Sequence, residues 1–161
     1  MSALVLFRSY YGNTKLVAEA LAKELAARGT PAQVRDLRRR LPDLAGIDLV
    51  LIGAPTRMAR VTWRAKSALR KLKRKGFMAG KVAVFDTYGP IPKTPEELEK
   101  GRKWLYPGAA GILHKTAVDL GLNVHPAALR CEVAKMKGPL GDGEIGKAAA
   151  FAAELMPVSA R

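Results

Sequence analysis

Val5-Leu6-Phe7-Arg8-Ser9-Tyr10-Tyr11-Gly12-Asn13-Thr14-Lys15 is the stretch whose reading decides the fold. Ala3 to Phe7 form a short apolar run that reads as a buried strand. Hydroxyl residues and a glycine follow at once, and then Leu16, Val17, Ala20, Leu21 and Leu25 recur at helical spacing. A strand that stops in a small polar loop and restarts as a helix aims several backbone N–H groups at one point. The partial positive charge of the helix N-terminus lies there too. That arrangement suits a phosphate, with Ser9, Tyr10, Tyr11 and Thr14 as further hydroxyl donors. The plainer alternative is an ordinary strand-to-helix connection capped by Asn13 or Thr14.

Outward from this stretch the same unit recurs. Gly29-Thr30-Pro31 stops the first helix, and Ala32 to Leu37 alternates weakly, as an edge strand does. Asp48 to Ala54 is the most apolar run in the chain and reads as a central parallel strand covered on both faces. A loop over 55–62 leads into a helix over 63–75, and 80–86 reads as a fourth strand with an exit loop over 87–90. Thr94-Pro95-Glu96-Glu97 opens a short helix, broken by Tyr106-Pro107-Gly108, and a further helix spans 109–120. Residues 123–133 supply a fifth strand interrupted by Pro126, and the turn-rich loop 137–143 precedes a last helix over 144–155.

Five strand–helix alternations without a linker or repeat predict a single α/β domain over 1–161. Its architecture is an open, parallel five-stranded sheet with helices on both faces. In such sheets ligands bind at the carboxyl ends of the strands, where the strand order reverses. Strands one, three and four then bring Ser9–Thr14, Pro55–Arg60 and Thr87–Pro90 to one rim.

The outlier in composition is charge. Twenty-eight Lys and Arg against fourteen Asp and Glu give +14, which favours anionic partners: an acidic protein, a phosphorylated cofactor, nucleic acid or anionic lipid. Residues 49–85 hold ten basic residues and no acid. No apolar run is long enough to span a bilayer, and the lone Cys131 reads as a buried apolar residue in a reducing, cytoplasmic setting. His114 and His125 have no ligand-type neighbours, so no metal is expected, and no residue reads as a catalytic acid or base.

Known phosphate loops can be compared letter by letter. Gly12-Asn13-Thr14-Lys15 lacks the Gly-Lys-Ser/Thr of a P-loop, and a single glycine does not make a dinucleotide fingerprint. Gly53-Ala54-Pro55 stands where a receiver domain needs its phosphate-accepting aspartate. Val5 to Thr14, followed by Ala18 and Leu21, instead resembles the FMN-phosphate signature of the flavodoxin family. Asp48–Thr56 resembles that family's third strand and flavin loop, Lys81–Gly89 its fourth, and Gly138-Pro139-Leu140 with Gly143-Glu144 its approach to the last helix.

The resemblance implies a sheet order of 2-1-3-4-5 and FMN as cofactor. Ser9, Tyr10, Tyr11, Gly12, Asn13 and Thr14 would hold the phosphate through N–H and hydroxyl donors, without any arginine. Pro55, Thr56, Arg57 and Met58 would flank the ribityl chain and one side of the flavin ring, and Thr87, Tyr88 and Gly89 the other, with Tyr88 placed to stack.

Three features depart from the family. Tyr11 replaces a small hydroxyl residue, Met58 and Ala59 stand where glycine is usual, and the protein is basic where flavodoxins are acidic. Arg57 and Arg60 beside FMN would favour the anionic reduced flavin, which predicts a potential less negative than in acidic flavodoxins. The implied function is electron transfer, with an acidic redox protein or an NAD(P)H-type donor docking on the basic surface. A peripheral contact with an anionic membrane also suits that charge.

Alternatives stand beside this reading. One is a flavodoxin-type oxidoreductase, either an NAD(P)H-dependent FMN/quinone reductase or a protoporphyrinogen oxidase-like enzyme. Others are a basic nucleic-acid-binding module, for which no recognised motif appears, and a flavin-free interaction domain. The segment 90–107, with Trp104 and Tyr106, reads equally as a flap over the flavin, a partner surface or a packed loop.

Overall fold

A computed structural model describes residues 1–156; positions 157–161, the end of the expected 1–161 domain, lie outside the described residues. The chain runs β1 (Ser2–Phe7), α1 (Asn13–Ala27), β2 (Ala32–Asp36), β3 (Ile47–Pro55), α2 (Trp63–Arg74) and β4 (Lys81–Tyr88). It continues through α3 (Pro95–Leu105), α4 (Gly108–Asp119), β5 (Asn123–Val124), β6 (Leu129–Glu132) and α5 (Glu144–Leu155). All strand pairings are parallel, in the order β2-β1-β3-β4-β5, and β6 also pairs with β4. The order 2-1-3-4-5 therefore holds.

The fifth lane differs from expectation by being two short strands. Pro126 has no N–H to give the ladder. The chain leaves β4 after His125, whose N–H still reaches the Val82 carbonyl at 2.7 Å, and returns at Leu129 opposite Phe85.

The pleat sorts the apolar runs into two cores. Ala3, Val5, Phe7, Leu49, Leu51, Ala83 and Phe85 pack against Val17, Leu21 and Leu25 of α1 and Phe151 and Leu155 of α5. Leu4, Leu6, Val50, Ile52, Val82 and Val84 point the other way, onto Leu69 and Leu72 of α2 and Leu113 of α4. Burying each such side chain contributes about 1.5–3 kcal/mol, which is why strands apolar on both faces settle in the middle of the sheet. The same pleat sets the site. Continuing β4 by its alternation turns Thr87 towards α1, while Asp86 and Tyr88 lie on the side of α4.

Candidate functional site at the carboxyl rim of the sheet

The β1–α1 connection is set by one backbone angle. Gly12 sits at φ +91°, a left-handed conformation that costs a residue with a Cβ free energy, and donates its N–H to Ser9 Oγ at 3.0 Å. It occupies the cap position of α1, and no side chain caps the helix. The expected caps are employed elsewhere. Asn13 Nδ2 donates to the Lys137 carbonyl at 3.2 Å, and Thr14 Oγ1 lies 2.8 Å from Thr87 Oγ1 in a buried contact. The first-turn N–H groups have no intrahelical acceptor, and no acid stands in that turn. This is an electropositive, donor-rich end.

Two other loops close on it. The Thr56 N–H donates to the Thr87 carbonyl at 2.8 Å, which ties the loop after β3 to the end of β4. Beyond it, Arg57 and Arg60 exchange backbone hydrogen bonds of 3.1 and 2.8 Å around a two-residue turn. Met58 (φ 48°) and Ala59 (φ 65°) hold the left-handed positions that such a turn requires and glycine or asparagine usually fills.

Behind both loops lies an ion pair that sequence reasoning missed. Asp86 is fully buried and receives Arg130 through Nε (3.0 and 3.1 Å) and Nη2 (3.0 Å), the Ala110 N–H at 3.0 Å and the Thr56 hydroxyl at 2.8 Å. The Thr56 hydroxyl in turn accepts the Ala109 N–H at 2.7 Å, so the first turn of α4 is satisfied by this carboxylate and its neighbour. The Arg130 guanidinium lies 4.0 Å from the Tyr88 ring centre and 5.1 Å from that of Tyr106. Its Nη1 is buried with no hydrogen-bond acceptor among the described residues, and the two ring faces supply the compensating negative charge. An aspartate ending an otherwise apolar central strand was the available signal, because a buried charge demands a partner. Nothing in the sequence named Arg130.

Burial, reinforced by Tyr106, pushes the Tyr88 phenol up to about 12 despite the cation beside it, so it stays protonated and able to donate. Cys131 is fully buried, and burial pushes its thiol up to about 12, which leaves it a poor nucleophile at neutral pH.

The three loops enclose one cavity of about 560 Å³, a size typical of small-ligand sites. Ser9, Tyr10, Tyr11, Asn13 and Thr14 line it from the first loop, Pro55, Thr56, Arg57 and Met58 from the second, and Thr87, Tyr88 and Gly89 from the third. Of the residues assigned to the cofactor only Gly12 does not line it, its part being to make the turn; Ala59 and Arg60, expected at the same rim, do not line it either. Pro90 extends the third loop, and the structure adds a fourth wall from α3 and its approach, with Pro92, Gly101, Trp104 and Leu105, and a fifth from Val133 and Met136. The 90–107 segment thus packs as a helix along the cavity while leaving Trp104 and Tyr106 partly exposed.

The model of the flavodoxin domain matches residues 4–105, well over half of the chain and all three of the loops. The chain belongs to the flavodoxin family. Solved structures agree on the fold. A flavodoxin from the domain Archaea matches with a TM-score of 0.74 at 20% identity, covering 96% of each chain. Flavodoxin 2 of Bacillus cereus matches with a TM-score of 0.72 at 19% identity, over 94% of this chain and 95% of that one. Rubredoxin oxygen:oxidoreductase of Desulfovibrio gigas matches with a TM-score of 0.68 at 13% identity, over 94% of this chain but only 34% of the larger protein. No curated protein sequence matches significantly. Among the described residues of this flavodoxin-family chain, no helix is long and apolar enough to cross a membrane.

Proposed function

We propose that this flavodoxin-family protein binds FMN in the rim cavity and carries electrons. The observation that carries the reading is convergence: an uncapped, acid-free helix N-terminus at one end of the cavity, and aromatic and apolar walls along the rest. The first fits a phosphate dianion and the second a flat heterocycle. Ser9 and the first-turn N–H groups of α1 would receive the phosphate, Thr56 to Met58 one side of the ring, and Tyr88 the other. FMN, when bound, supplies the redox chemistry; the chain orients it, keeps water from its buried face and sets the charge around it.

The electrostatics point to an acidic or phosphorylated redox partner. Arg57 lines the cavity, Arg60 and Arg64 follow it into α2, and Arg70, Lys71, Lys73 and Arg74 continue along the exposed face of that helix to Lys75 at its C-terminal cap. Charge of one sign around a redox site steers an oppositely charged partner and makes association salt-dependent.

A second reading, a small flavin-dependent oxidoreductase, is favoured by one observation. The wall formed by Pro92, Gly101, Trp104 and Leu105 extends the cavity beyond the three loops and leaves an apolar face for a flat organic substrate. Steady-state turnover of quinone or protoporphyrinogen by the FMN-loaded protein would establish it.

The test of the main reading is titration of the apoprotein with FMN, followed by quenching of flavin fluorescence. One equivalent should bind, and Ser9→Asp, which places a carboxylate before the α1 N-terminus, should weaken binding by a factor of ten or more while leaving the fold intact. Undiminished binding by Ser9→Asp, or none by the parent, would refute it.

A further inference from the structure

Two exposed tyrosines in the first loop are each held against cations. Tyr10 is sandwiched, with the Arg8 guanidinium 4.2 Å from its ring centre and that of Arg57 4.0 Å from it. Arg8 also donates from Nη1 to the Ser9 carbonyl, which pins it to the start of the loop. Tyr11 has the Lys137 ammonium 5.7 Å from its ring centre. Lys137 is not placed there by its flexible side chain alone. Its carbonyl accepts from Asn13 Nδ2, and Gly138 approaches so closely that a Cβ there would lie 2.5 Å from Asn13 Oδ1. The 135–138 turn is thereby clasped to the first turn of α1.

These cations are not consumed by carboxylates. Among the described residues none of Arg8, Arg57 and Lys137 forms a salt bridge, whereas nearby Lys15 pairs with Glu19 and Asp36 is taken by Arg38. Three positive charges without a direct salt bridge therefore lie at a loop already rich in N–H donors, Arg8 still feeling the field of Asp36.

We propose that Arg8, Arg57 and Lys137, presented on Tyr10 and Tyr11, form a cationic collar that adds charge recognition of the flavin phosphate to the loop's hydrogen bonds. The proposal rests on the FMN reading and departs from the arginine-free phosphate site that family resemblance implies. It also gives Tyr11 a role: where a small hydroxyl would add one donor, the tyrosine presents a lysine. A phosphate monoester is close to a dianion at neutral pH. An exposed cation beside it is worth a few-fold in affinity at low salt and less when screened.

The test compares FMN with riboflavin, which has the same ring and ribityl chain but no phosphate. In the full-length apoprotein at low salt, Lys137→Met should weaken FMN about three-fold and riboflavin hardly at all, the FMN effect shrinking at high salt. Gly138→Ala, which keeps every charge but displaces the clasp, should shift the same FMN-to-riboflavin ratio in the same direction. Tight FMN binding that neither variant changes, or equal losses for both flavins, would overturn the collar and leave the FMN reading standing. Failure of the parent protein to bind either flavin would overturn both.

Discussion

Replacing Arg130 by methionine tests the architecture behind the site most severely. Asp86 has no solvent exposure and Arg130 little, and the pair is joined by three nitrogen–oxygen contacts of 3.0 to 3.1 Å. Removing one partner of such a pair strands a buried charge, at a cost of about 3–5 kcal/mol. Two donors remain on the carboxylate, the Ala110 N–H and the Thr56 hydroxyl, which favours the lower end. The lost stacking on Tyr88 and Tyr106 adds about 0.5–1 kcal/mol for each ring. The sum is about 4–5 kcal/mol, or a fall in Tm of roughly 8–20 °C for a domain of this size. Urea unfolding of the apoprotein measures it. Asp86→Asn combined with Arg130→Met should cost less than the two single changes added together, because the double variant leaves no unpaired charge. A loss below about 1 kcal/mol for Arg130→Met, or strict additivity in the cycle, would refute the reasoning.

Three further outcomes follow from the geometry. Ala59→Gly relieves a left-handed residue in the 57–60 turn and should raise stability by about 1 kcal/mol, read as a shifted urea midpoint at constant slope. Tyr88, pushed up to about 12 by burial first and Tyr106 second, should remain protonated when ordinary tyrosines ionise near 10, so the phenolate absorbance that Tyr88→Phe removes should appear only above pH 11. Since the folded value lies above the unfolded one, the stability this group contributes is complete below pH 10 and is lost as pH rises towards 12. Arg57→Glu with Arg60→Glu should move the flavin potential negative by about 20–60 mV, measured by dye-equilibrated reduction; an unchanged potential would remove these arginines from the account.

The fold was legible because its information is local and repeated. Runs such as Val5–Phe7 and Leu49–Ala54 are apolar on both faces, and turn or cap residues between them mark each crossover. Once the sheet is parallel, the loops after β1, β3 and β4 must share a rim, which is why residues from three distant segments could be assigned to one cavity. The remainder depends on pairing across the fold. Asp86 and Arg130 are neighbours only because β6 lies in register beside β4, and no periodicity announces that. The α3 wall was ambiguous for a related reason: Gly101, Trp104 and Leu105 line the cavity beside Pro90 and Pro92 only because of how α3 docks in the fold, which no local pattern announces. The Lys137 clasp likewise requires the approach of Gly138 to Asn13, a contact between residues at opposite ends of the sequence.

A crystal structure of the protein grown with FMN tests the central claim most directly. The account predicts the phosphate on the N–H groups of residues 9–14 and the ring between Thr56–Met58 and Tyr88. FMN bound elsewhere, or a ring lodged outside the rim cavity, would contradict it.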